Sequence, residues 1–396
     1  MIRRFAHPDA VALVGSLISL ASLAAGWLTL KPNRLAAGVS FTLWQSPGTL
    51  WGILFAVFVL ACLCLSLFTN IRRRAFFLGV VANICLVLAF FLAGLGSNRL
   101  LQGQPEISRV SLGGGFWIAF AGAYMVVFAA RQQIIAHRAA KDFISWSGLA
   151  IAVAFLGFGW LNHVSVLVEF AGYHDRFWQE LLEHLRLFGG SVLAATAIGI
   201  LLGIWATRSR AAERPVFFIT NMLQTIPSLA LFGILIAPLS ALSFAYPALR
   251  NFGIRGIGAA PAVIALTLYS LLPVMQNTFI GIRHVQPAVV DAGLGMGMSR
   301  WQVFRHIEAP LAAPLVLEGI RTASVQAVGL TAVAALIGAG GLGWFVFQGI
   351  GQAAPDLIIL GAIPIVVLAL LVDAVMRAIV KLGTPKGIQR AHGIWA

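Results

Sequence analysis

Asp291-Ala-Gly-Leu-Gly-Met-Gly-Met-Ser-Arg-Trp-Gln-Val-Phe-Arg-His-Ile-Glu-Ala-Pro310 separates two long apolar runs, 257–281 before it and 311–337 after it. It is too apolar for a simple solvated loop. Gly293, Gly295 and Gly297 allow a tight turn between two helical pieces. Ser299 can then cap a short helix whose apolar side is Trp301, Val303, Phe304 and Ile307, with Arg300 and Arg305 beside it. Exposed aromatic and basic residues on a short helix suit a docking element for a soluble partner.

The surrounding chain sets this loop in a membrane. Of the 396 residues, 60% are hydrophobic and 10% charged, with mean hydropathy +0.92, against about 25% charged in a soluble domain. A crossing helix needs roughly 20 apolar residues. Ten runs are long enough: 10–30, 50–69, 75–96, 113–130, 143–161, 185–206, 216–239, 257–281, 311–337 and 357–380. Helices are expected because lipid offers backbone groups no other partner. The expected fold is an all-α polytopic membrane protein of about ten transmembrane helices. The first run exceeds the apolar stretch of a signal peptide, about 7–15 residues, and reads as a retained span.

The net charge of +14 is not gathered on one face, which argues against a nucleic-acid partner. With the N-terminus inside, cytoplasmic segments carry Arg3, Arg4, Arg72, Arg73, Arg74, Arg131, Arg138, Lys141, Arg208, Arg210, Arg214, Arg283, Arg300, Arg305, Arg377, Lys381, Lys386 and Arg390. These outnumber the outer Lys31, Arg34, Arg99, Arg109, Arg176, Arg186, Arg250 and Arg255. The bias expects both termini in the cytoplasm. Cys62, Cys64 and Cys85 fall in apolar runs without metal-ligand spacing and read as inert core thiols.

The longest outer loop, 162–184, holds Glu169, Asp175, Glu180 and Glu183 and reads as a solvated loop or a partner contact. Apolar residues over 177–188 recur at helical spacing, which suits an amphipathic helix in the outer interface before the sixth span. The loop divides the chain into 1–184, a five-span extension, 185–380, a second five-span unit, and the tail 381–396. No repeat relates the halves.

No catalytic constellation, Walker A motif or paired intramembrane carboxylates are present. Gly338, Gly340 and Gly343 match a dinucleotide spacing but close a membrane span rather than follow a strand, so they read as a helix break or close-packing turn. Glu318 and Arg321 share a face of the ninth span. They read as a self-neutralising pair, or as a polar pathway lining or subunit contact. Asp373 and Arg377 repeat the arrangement in the tenth span. Pro227, Pro273, Pro314 and Pro364 fall inside spans and can kink them.

The quoted loop resembles the coupling loop of bacterial ABC-importer permeases, whose pattern is E-A-A, three residues, G, nine residues, I, any residue, L-P. Asp291-Ala292-Gly293 stand at E-A-A, Gly297 at the glycine, Ile307 at the isoleucine and Ala309-Pro310 at L-P. Asp291, Gly293 and Ala309 depart from the commonest letters at matching spacing. Asn221-Met-Leu-Gln-Thr-Ile-Pro-Ser-Leu-Ala-Leu231, Leu268-Tyr-Ser-Leu-Leu-Pro-Val274, Gly295-Met-Gly-Met-Ser-Arg-Trp-Gln302 and Ala334-Ala-Leu-Ile-Gly-Ala-Gly-Gly-Leu-Gly343 resemble the glycine betaine, carnitine and choline permeases.

The resemblance covers 185–380 and implies a type I importer core in a bacterial cytoplasmic membrane. It implies a second permease subunit, the same chain or another, and an extracytoplasmic solute-binding protein. It also implies two cytoplasmic ABC ATPase subunits holding ATP and Mg, with no catalysis, cofactor or metal on this chain. Asp291, Ala292, Gly293, Gly297, Ser299, Arg300, Trp301, Phe304, Ile307 and Pro310 would form the ATPase contact. The rivals are an ABC permease for another small solute such as an amino acid, and an ATP-independent secondary transporter. The second expects inverted repeats and buried ion-binding carboxylates.

Overall fold

The computed structural model describes residues 9–67, 73–134 and 137–385. Arg3, Arg4, Arg72, Lys386 and Arg390, counted above toward the cytoplasmic side, lie outside the described residues. The chain forms two units: Met1–Gly172 with Gln352–Asp356, and Tyr173–Gly351 with Leu357–Ala396. The division falls earlier than the expected boundary at 184, because 174–184 is the start of a long helix rather than a loop.

In unit 1, Asp9 caps α1 (Ala10–Ala21) by accepting from the Val11 and Ala12 amides. The helix has 12 residues, roughly 18 Å, too short for a hydrocarbon core of about 30 Å. The expected span 10–30 is therefore corrected, since its second half is β1 (Gly26–Lys31). β2 (Val39–Thr42) and β3 (Arg109–Leu112) flank it antiparallel in the order β2-β1-β3 and satisfy its backbone groups on both edges. This small sheet was not anticipated. Trp27 in β1 is fully buried, its ring edge-on to Phe55 at 5.3 Å and Phe116 at 5.9 Å. Trp27 and Leu28 of the run thus serve a protein core rather than lipid.

α2 (Thr49–Leu67), α3 (Arg74–Leu101), α4 (Gly114–Gln133) and α5 (Arg138–Gly157) complete the apolar framework, and α6 (Ser165–Gly172) follows. Asn83 Nδ2 in α3 donates to the Ile144 carbonyl of α5 at 2.8 Å, which satisfies a polar side chain inside apolar packing. Cys62 and Cys85 are buried, while Cys64 is exposed. Glu169 in α6 is buried and paired with Arg34 at 3.0 Å, which corrects its reading as a solvated loop residue. Asp356 accepts from Ser111 Oγ at 2.6 Å and pairs with Lys31 at 3.5 Å.

Unit 2 contains α7 (His174–Arg208), α8 (Arg210–Thr225), α9 (Ser228–Ala245), α10 (Ala259–Arg283), α11 (Pro287–Gly295), α12 (Arg300–Val303), α13 (Ala309–Ala334), α14 (Gly343–Gly351) and α15 (Pro355–Gly383). The expected interfacial helix over 177–188 does not turn into the next span. It is the first part of α7, one continuous helix of 35 residues, roughly 52 Å long. The expected span 216–239 is likewise two helices, α8 and α9. Ile226 is extended at ψ 128°, the conformation a following proline imposes, and Pro227 supplies no amide to continue the ladder. Pro273, Pro314 and Pro364 lie within continuous helices.

α7, α10 and α13 form the centre of unit 2. Small residues let them approach: a Cβ on Gly199 would lie 2.9 Å from Val274, and one on Gly319 2.6 Å from the Pro273 carbonyl. In lipid such packing, rather than exclusion of water, holds helices together. Among the described residues nine helical stretches are long and apolar enough to cross a membrane: α2, α3, α4, α5, α7, α9, α10, the continuous Arg300–Ile337 stretch and α15. The protein is a polytopic helical membrane protein.

Candidate coupling site

The motif loop leaves α10 at Arg283 and makes α11, with Pro287 in the first turn, where a missing amide is harmless. Asp291 and Ala292 are exposed on α11, and Gly293 is buried against the returning segment. A Cβ at Gly293 would lie 2.7 Å from Ile307 Cδ1, so glycine at the third motif position makes room for the motif isoleucine. Gly297 reverses the chain at φ +86°, a conformation that L side chains adopt only with strain.

Ser299 then caps α12 as expected from the sequence. Its Oγ accepts from the Gln302 amide at 3.3 Å, and Gln302 Oε1 accepts from the Ser299 amide at 2.7 Å, a reciprocal capping box. After α12 the chain widens into one π-helical turn, Phe304–Glu308, where the Ala309 amide donates to the Phe304 carbonyl. Such turns recur at functional sites. The helix then continues into α13, so α12, the π turn and a central helix of unit 2 form one continuous helical stretch.

Of the expected apolar side, Val303 is buried and Phe304 and Ile307 are half-buried. Trp301 differs. It stands 64% exposed, its ring 5.5 Å from that of Phe304. Met296 is 76% exposed, and Ser299, Arg300 and Pro310 are also at the surface. An exposed Trp and Met rimmed by Arg300 and Arg305 form a surface apt for a protein partner.

The loop is braced from beneath by a pair the sequence reading did not single out. Glu308, buried in the π turn, receives both terminal nitrogens of Arg208 at the end of α7. The Arg208 guanidinium also lies 5.6 Å from the Phe304 ring. A carboxylate next to an apolar run must be paired if buried, which was the available signal. In the same unit, Arg283 donates to Glu213 at 2.8 Å and covers Phe279, tying α10 to α8.

Glu318 and Arg321 are brought together as expected, at 3.0 Å. Arg321 also reaches Asp373 of α15 at 2.6 Å, and Asp373 binds Arg377 at 2.9 Å. The two sequence pairs are therefore one four-residue network joining α13 to α15.

The other end of α7 carries a second cluster missed in sequence. Its buried stripe includes Phe177, Glu180, His184 and Leu187, so Glu180 is not a solvated loop residue. Glu180 Oε2 accepts from the Gly341 amide at 2.7 Å, and His184 Nδ1 accepts from the Leu342 amide at 3.3 Å. His184 Nε2 donates to the Val328 carbonyl of α13 at 3.1 Å. The glycine-rich motif is thus a turn, with φ of +75°, +80° and +86° at Gly338, Gly340 and Gly341. Arg176 binds Glu180 at 3.1 Å and lies 3.7 Å above the Trp344 ring. Among the described residues no cluster of three His, Cys, Asp or Glu side chains could hold a metal.

Residues 199–382 match the family described as "Binding-protein-dependent transport system inner membrane component". Residues 7–167 match "ABC transporter permease YehY, N-terminal domain", a counterpart for the extension that sequence reading left without one. The chain is 38% identical over 210 residues to the carnitine transport permease OpuCB of Listeria monocytogenes, covering 53% of this chain and 89% of that one. It is 40% identical over 229 residues to the osmoprotectant import permease OsmW of Salmonella typhimurium, covering 58% of this chain and 100% of that one. An inward-facing structure of the MetNI methionine ABC transporter aligns at TM-score 0.47 and 21% identity, covering 53% of this chain and 96% of that one. With relatives of this identity aligned over nearly their whole length, the chain belongs to the family of membrane-spanning permeases of binding-protein-dependent ABC importers.

Proposed function

We propose that this permease moves a small quaternary amine such as glycine betaine, carnitine or choline inward across a bacterial cytoplasmic membrane. The cargo class is supported by the relatives, which are named for carnitine and osmoprotectant import; this favours an amine over an amino acid. In this reading both termini are cytoplasmic. A solute-binding protein delivers cargo from outside, and a second permease subunit completes the pathway. Two ATPase subunits, which hold ATP and Mg, dock on the 291–310 loop.

The observation that carries the coupling role is the continuity of α12, the π turn and α13 beneath an exposed Trp301. Force applied at Trp301 has a stiff route into the centre of unit 2, and the Arg208–Glu308 pair gives it a route into α7. An ATP-independent transporter would have no use for that surface.

The test is ATP-dependent uptake of labelled glycine betaine, carnitine and choline, each in turn, into vesicles holding the whole assembly, beside a correctly inserted Gly297→Asp variant. Uptake in the wild type that drops at least tenfold in the variant supports the reading. Wild-type uptake indifferent to ATP overturns the coupling role, and failure on all three amines overturns the cargo class.

A further inference from the structure

The cluster at the far end of α7 from the coupling loop already holds a cation. The Arg176 guanidinium sits 3.7 Å from the centroid of the Trp344 ring, the side chain that offers the strongest π face to a positive charge. The ring is fixed in place: Phe345 meets it edge-on at 5.1 Å and Tyr173 at 5.9 Å. Arg176 itself is less constrained, with its side chain 47% exposed and, among the described residues, an ion pair to Glu180 one turn along the same helix. Beside it opens a cleft of about 540 Å³, lined by Glu180, Glu183, Arg186, Gly338, Gly340 and Trp344 among others.

The charges facing the cleft are Arg176, Glu180, Glu183 and Arg186, and they are mutually paired: Arg186 lies 3.6 Å from Glu183. The Arg186–Glu183 pair is exposed and weak; in the Arg176–Glu180 pair the carboxylate is buried, but the Arg176 side chain is half exposed and open to exchange with water. A quaternary ammonium has no N–H groups to satisfy, so it needs only a π face and nearby negative charge. Arg176, by contrast, can turn its donors to water when displaced.

We infer that this cleft is a reception site for the quaternary ammonium group of the cargo, in which Arg176 is a built-in stand-in cation that the cargo displaces from Trp344. The inference rests on the amine reading of the cargo. Because Glu180 holds the Gly341 amide with its other oxygen, occupation of the site is felt at the turn joining α13 to α14. The site is weak by construction, as a passage site must be.

The test uses the assembled transporter in detergent, without its binding protein, so that the binding protein's own selectivity does not intervene. The probe is tetramethylammonium, its dissociation constant read by saturation transfer to its methyl protons. The neutral isostere 3,3-dimethylbutan-1-ol serves as comparison. Trp344→Leu is expected to weaken tetramethylammonium about three- to tenfold, the range of a half-exposed cation–π contact, while leaving the isostere unchanged. Arg176→Ala is expected to tighten tetramethylammonium by a similar factor, an opposite sign that loss of fold cannot mimic. The same constant in wild type and both variants would overturn the inference, as would equal effects on probe and isostere. Betaine uptake that persists while the binding is indifferent to Trp344 and Arg176 removes this inference alone. Binding that follows the expected pattern in a transporter that carries no amine removes the cargo reading and leaves a cation site.

Discussion

The two ends of α7 solve the same problem differently. At one end Glu308 is buried and neutralised side chain to side chain by Arg208, and the surface above it is left apolar, with Trp301 and Met296 exposed. At the other end Glu180 is buried and held by a backbone amide, and the surface above it is a charged, open cleft. An apolar surface on a stiff, satisfied base suits a protein partner. A polar cleft whose arginines reach solvent suits a small charged ligand. The helix between them, roughly 52 Å long, lets one element respond to both.

Breaking the pair at the coupling end should have the largest effect on stability. Arg208→Ala leaves Glu308 buried and unpaired and should cost about 3 kcal/mol. Glu308→Ala leaves Arg208, which is half exposed, and should cost about 1 kcal/mol. Thermal unfolding of the purified permease complex would check the order, and equal losses would mean that Glu308 is not the buried partner. At the other end, Glu180→Ala orphans the Gly341 amide and should cost about 2 kcal/mol, while Glu180→Gln keeps an acceptor and should recover about half of it. If Gln proved as damaging as Ala, charge rather than the backbone bond would hold that turn.

A smaller effect is expected within the loop. Gly293→Ala pushes a methyl group against Ile307 Cδ1, the mobile end of a side chain, and should cost about 1 kcal/mol with a measurable drop in uptake. A variant indistinguishable from wild type in both respects would mean that α11 and the π turn are not packed as described.

The smallest effect is expected in unit 1, where Glu169 is, like Glu308, a buried carboxylate paired with an arginine, Arg34. Burial pushes the Glu169 carboxyl above its ordinary value, against the pull of Arg34. The folded state therefore holds the proton more tightly than the unfolded one. Its contribution to stability is present below the unfolded value and is lost as pH rises through the folded one. Relative to Glu169→Gln, the wild type should lose under about 1 kcal/mol across that window, seen as converging or crossing melting curves. A wild type that gained stability with rising pH would reverse the assignment.

The membrane class, most of the spans and the motif loop with its Ser299 cap were legible because each depends on local composition or spacing. Where the reading failed, the deciding partner was distant. The run 10–30 has the composition of a span, yet Trp27 enters a core built with Phe55 and Phe116, and its strand pairs with residues near 110. Glu180 looked solvated among acidic neighbours, and its partner Gly341 stands 161 residues away. Glu318–Arg321 was visible as a local pair, whereas its extension to Asp373 required knowing that α13 and α15 are neighbours. The break at Pro227 was within reach, since the residue before a proline avoids the helical region; it was read as a kink rather than an end.

The coupling claim turns on Trp301. In proteoliposomes holding the full assembly, ATP hydrolysis and amine uptake should be followed together in wild type and in a correctly inserted Trp301→Ala variant. The account predicts that uptake falls at least tenfold and that hydrolysis no longer rises when loaded binding protein is added. Uptake and stimulated hydrolysis both equal to wild type would contradict it.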